Sequence, residues 1–214
     1  MVNERKAIEV TASQLHVAVT SEAAATLADL TSVRQDIEEA TSYVGQLQAM
    51  PAATHASPEH QIIRPALWKA VAISYRRAFT TGKCFAKGRS RSRYPRDIIE
   101  SLSADDRATH EAILQDADTH VAHRVDDDRE AARVSVVLHP PHDPGVAGVF
   151  TSSQRFGGAR DDLVLAVEPL CNHLLDELDA EINRLRSEVR IEAEAELEAH
   201  YARAGLADLL PPAE

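Results

Sequence analysis

Two stretches of this chain repeat an apolar residue every three or four positions, and that rhythm leaves little choice of fold. Leu163, Val167, Leu170, Leu174, Leu178, Ile182, Leu185, Val189, Ala193 and Leu197 follow helical spacing without a break. All ten share one stripe of a helix that could reach about 60 Å at 1.5 Å per residue. Leu30, Val33, Ile37, Ala40, Val44 and Leu47 repeat the pattern earlier, up to a stop at Met50 and Pro51. A stripe this long must be covered, either by another helix of the chain or by a second copy. With one Trp, four Tyr and four Phe in 214 residues, burial must rest on aliphatic side chains, and eight glycines are too few for a turn-rich β protein. The reading is an all-α bundle with long N- and C-terminal helices.

The segments between these helices add detail. At the N-terminus, Thr11 and Gln14 fit a capping box with Val10 stapled on Leu15. The alternation Leu15, Val17, Val19 suits a short strand equally, with Ser21 capping a helix that begins later. Residues 51–59 read as a loop. A second helix is expected from Pro65, burying Leu67, Val71, Tyr75 and Phe79 with Trp68 at its edge, and ending at Gly82. Pro95 opens a short helix to Leu102, and Ser103 caps another whose buried stripe is His110, Ile113, Leu114, Ala117 and Val121. Two short strands, 133–138 and 146–151, form a β-hairpin around HPPHDPG. Gly157 and Gly158 precede Asp161 as the cap of the last helix. Residues 1–205 make one domain with the hairpin as an insertion, and 206–214 a frayed tail. The distal part of the last helix, Arg184 to His200, carries exchanged Glu and Arg pairs, so it either projects or pairs with another chain.

Charge is distributed unevenly. Arg76, Arg77, Lys83, Lys87, Arg89, Arg91, Arg93 and Arg96 fall in one stretch with no acidic residue, leaving 15 of the 23 basic residues against all 34 acidic ones elsewhere. A net charge of −11 already supplies solubility, so a basic island on an acidic body points to a polyanion or an acidic partner surface. The alternative is internal: the arginines dock on the protein's own acidic helices.

Asp116, His120 and His123 are spaced i, i+4, i+7, a possible metal-binding face, which His139, His142 and Asp143 in the hairpin turn could extend. The simpler reading of His123 is a capping or interfacial histidine near a helix end. His110 and His173 lie among apolar residues and read as core or edge histidines. Cys84 and Cys171 are too few for a metal ribbon. GxxxxGK[ST], GxGxxG and GxSxG are absent from the sequence. No apolar run approaches the length of a membrane span, and the charged NERK after Met1 is unlike a signal peptide, so a cytoplasmic protein without membrane contact is expected.

SYRRAF (Ser74–Phe79), followed by THVAH (Thr119–His123), resembles the HEPN superfamily of helical domains, closest to its abortive-infection U-type branch. The likeness covers Arg64 to Leu138, about a third of the chain. It implies a HEPN-like bundle, a homodimer, and an RNA-directed protein of the toxin or phage-defence kind. In such a protein an arginine and a histidine on one helix cleave RNA without metal or cofactor. Histidine moves the proton of a ribose hydroxyl or leaving oxygen, and arginine neutralises charge growing on the phosphate. His123 matches that histidine. Ala117 stands where the arginine belongs, so Arg77, on the neighbouring helix, or Arg124 would have to contact the phosphate. Arg76, Lys83, Lys87, Arg89, Arg91, Arg93 and Arg96 would hold the RNA backbone. The expectation is thus a candidate metal-independent endoribonuclease. The alternative is a catalytically silent scaffold that binds nucleic acid, a nucleotide or a protein partner such as an antitoxin.

Overall fold

The computed structural model describes residues 18–51, 57–80, 96–121, 131–140, 146–154, 158–197 and 199. They are mostly helical: α1 (Glu22–Gln48), α2 (Pro58–Phe79), α3 (Arg96–Ser101), α4 (Ala104–Asp116) running into a π-helical turn (Ala117–Val121), the strands β1 (Ala131–Leu138) and β2 (Val146–Gln154), and α5 (Asp161–Ala195). Among the described residues the fold is all-α apart from one two-stranded antiparallel ribbon.

α1 is the central element, packed along both α2 and α5. All six residues of its stripe are buried, from Leu30 to Leu47. Its start is set by Ser21, whose Oγ accepts the Ala24 N–H at 3.1 Å. The earlier cap at Thr11 lies outside the described residues. α1 and α5 are antiparallel: the Gln48 side chain donates to the Val164 carbonyl at 3.3 Å, and Arg34 grips Asp179 at 2.6 and 3.2 Å. α5 buries Val167, Leu170, Cys171, Leu174, Leu178, Ile182 and Leu185. At 35 residues against 27 it is about 12 Å longer than α1. Past Leu185 the cover thins: Val189 packs only at the margin and Leu197 is exposed. The surface there carries pairs within the helix, Arg184 with Glu181 and Glu188, and Arg190 with Glu194.

Four local expectations are corrected. α2 begins at Pro58, because Ser57 caps it and Pro58 occupies the first turn; Pro65 sits inside the helix. Trp68 is 1% exposed rather than at an edge, since its indole N–H has a buried acceptor in Asp116 Oδ2 at 2.9 Å. α2 stops at Phe79, with Thr80 already extended, short of Gly82. Asp161 does not cap α5; Arg160 is the N-cap residue and makes no side-chain capping bond, and Asp161 instead pairs with Arg64. Arg64, itself buried, also donates to the carbonyls of Leu47 and Pro51. One guanidinium therefore satisfies the C-terminal end of α1 and the first turn of α5. Gly158 lets the chain enter α5 there: at φ +97° a Cβ would be strained, and it would sit 3.4 Å from Pro65 Cα.

Candidate nucleic-acid interface at the end of helix α2

The last two turns of α2 carry the SYRRAF motif, and every polar or aromatic side chain in it meets a partner from this chain. Ser74 Oγ donates to Glu39 at 2.8 Å. The Tyr75 hydroxyl, fully buried, lies 2.8 Å from His110 Nδ1. Phe79 and Tyr75 close on the His110 ring edge to face, with centroids 4.7 and 5.7 Å away. Burial pushes the His110 imidazole below its ordinary pKa, so it stays neutral and docks α4 on α2. This is the satisfied core histidine that its apolar setting implied. His173, by contrast, is exposed on α5.

The two arginines reach different neighbours. Arg76 Nε pairs with Asp118 in the π-helical turn. Arg77 reaches α1, 3.0 Å from Asp36 and 3.8 Å from Glu39. Asp36 is 3% exposed, so Arg77 compensates a buried carboxylate while its own surface remains largely open to solvent. For these two members of the basic stretch, the internal docking on acidic helices is what the geometry contains.

α4 closes the site from the opposite side. After Asp116 it widens into a π-helical turn, in which one more residue per turn shifts every following side chain round the axis. Asp116 and His120 are both buried, and Ala117 is 2% exposed. His123, the third member of the i, i+4, i+7 face, lies outside the described residues. Among the described residues no group of three His, Cys, Asp or Glu side chains is placed to hold a metal ion. Between α2 and the turn lies an open pocket of about 190 Å³ lined by Ile73, Arg76, Arg77, Ala117 and Val121.

Of the residues proposed from sequence, Arg76 and Arg77 come together at this pocket. His123, Arg124, Lys83, Lys87, Arg89, Arg91 and Arg93 lie outside the described residues, as does the side chain of Arg96 at the head of α3. Sequence reasoning missed Asp36, Glu39 and Asp118 as the partners of the arginines. One signal was present: Asp36 follows Asp29 by seven residues, and both fall beside the apolar stripe of α1, where an acid needs a reason.

No family model, no curated protein and no solved structure matches this chain. Among the described residues no helix is long and apolar enough to cross a membrane.

Proposed function

We propose that this is a HEPN-like, RNA-directed protein of the toxin or phage-defence kind that acts as a binding scaffold. Its interface is the end of α2 together with the basic stretch Lys83 to Arg96. The observation that supports silence in catalysis is Ala117: it stands where the resemblance asks for an arginine, buried at 2% exposure. Of the candidate replacements, Arg77 is already paired with Asp36 and Glu39, which compete with any phosphate, and Arg124 lies outside the described residues. Binding then falls to the sequence after Phe79, where six basic residues follow with no acid among them.

The test is retention of labelled single-stranded RNA across a salt series. Each phosphate contact contributes about 0.7 to the slope of log affinity against log salt. Reversing Arg89, Arg91 and Arg93 to Glu should lower that slope by about 2 and weaken retention; an unchanged slope would refute a polyanion interface.

One observation favours a nuclease instead. The pocket holding Arg76 and Arg77 ends on Val121, two residues before His123 in sequence. On that reading His123 transfers the proton and Arg77 faces the phosphate. RNA cleavage that survives EDTA and disappears in His123→Ala is its signature; cleavage that persists in the variant would exclude it.

A further inference from the structure

The β1–β2 ribbon is built unlike the rest of the molecule. Its register pairs Val134 with Thr151, Val136 with Val149 and Leu138 with Val146, after a bulge beyond Val137. Directly opposed residues share a face of an antiparallel pair, so these six line one side. Arg133, Ser135, Val137, Phe150 and Ser152 line the other, where the exposed apolar residues Val137 and Phe150 are set among polar ones. The first face holds no charge. Val134, Val136, Leu138, Val146 and Val149 are 55–70% exposed, and neither strand makes more than marginal contact with a described helix. Together they leave on the order of 500 Å² of apolar surface open, the upper part of what a monomer shows as one patch. A two-stranded ribbon without a third layer is also marginal in water.

We infer that this face is the contact by which two copies of the chain associate, ribbon on ribbon about a twofold axis. Two features of the face favour a second copy over a different partner. An uncharged aliphatic face has nothing that selects a charged protein or nucleic acid, and it is complementary to itself under a twofold operation. Stacking two such faces would remove on the order of 1,000 Å², the lower bound for a specific interface, which fits a weak dimer in equilibrium with monomer. Among the described residues the ribbon makes at most marginal contact with the helices, and the only charged side chain in either strand, Arg133, lies on the other face. Two bodies of net charge −11 repel, which keeps the association weak. The inference does not depend on RNA binding, and either can fail without the other.

Sedimentation of the full chain from about 1 to 200 µM tests it. The expected result is a monomer–dimer equilibrium with a dissociation constant of order 10–100 µM, tightened by added salt as charge repulsion is screened. Val136→Lys should weaken it at least about tenfold, whereas Ser135→Lys, on the opposite face of the same strand, should not. Circular dichroism of both variants checks that the helical body is intact. A monomer throughout the range would overturn the proposal, as would a dimer insensitive to Val136→Lys, which places the contact elsewhere.

Discussion

The end of α2 and the β-ribbon treat polarity in opposite ways. In the first, charge and hydroxyls sit against the core and each meets a partner: Ser74 on Glu39, Tyr75 on His110, Arg77 on Asp36. In the second, five aliphatic side chains face solvent on a surface with no charge. The lesson is that a motif can serve packing, leaving contact with a partner to the basic stretch that follows it. The motif's two arginines are internal struts, while the ribbon, silent in motifs, is the part left incomplete. Substitutions in the two regions should therefore read out differently, in folding for the one and in association for the other.

The largest loss is expected from Trp68→Ala, which empties a fully buried site and strips Asp116 of its indole donor; about 3–5 kcal/mol should disappear in thermal or denaturant unfolding. Arg77→Ala comes next. It strands the buried carboxylate of Asp36 and should cost about 1–2 kcal/mol, less than a fully buried pair because the guanidinium is itself exposed. Adding Asp36→Asn should restore much of it, and a loss that the second change fails to relieve would deny the pairing. Any activity assay on an Arg77 variant must accordingly be paired with a stability measurement.

His110 makes stability depend on pH. Its folded pKa lies below its ordinary value of 6.5 because burial penalises the imidazolium. The unfolded chain thus binds more protons over that interval, so the contribution is fully present above about pH 6.5 and is lost as pH falls below it. A His110→Phe variant, which keeps the ring but cannot titrate, should flatten that part of the profile. The Cys171 thiol, pushed up to about 12 by burial, should resist alkylation in the native protein and react only on unfolding. The smallest effect belongs to the ribbon: Val136→Ser, on an exposed site, should change stability by no more than about 0.5 kcal/mol while weakening association. A large fall in stability there would erase the contrast between the regions.

Much of the architecture was legible because it rests on periodicity. The α1 and α5 stripes, the Ser103 cap and the hairpin each follow from local pattern, and each is present, with Ser103 Oγ accepting the Asp106 N–H at 3.1 Å. What pattern could not supply was long-range pairing. Trp68 is core because Asp116, 48 residues away, takes its N–H; Asp161 leaves its cap role because Arg64 claims it. The π-helical turn was equally hidden, since ADTHV reads as ordinary helix. The site was legible in part. Arg76 and Arg77 do converge on one pocket, but their acidic partners lie on α1 and in the π turn, at sequence distances no motif spans.

The central claim, an RNA-binding scaffold with a silent catalytic position at Ala117, is tested most directly by one incubation. Purified protein and its His123→Ala variant are mixed with labelled single-stranded RNA and tRNA in EDTA, and cleavage and retention are read on the same gel. Salt-sensitive retention without cleavage, equal in both proteins, is the predicted result. EDTA-resistant cleavage that vanishes in His123→Ala, or the absence of retention at low salt, would contradict it.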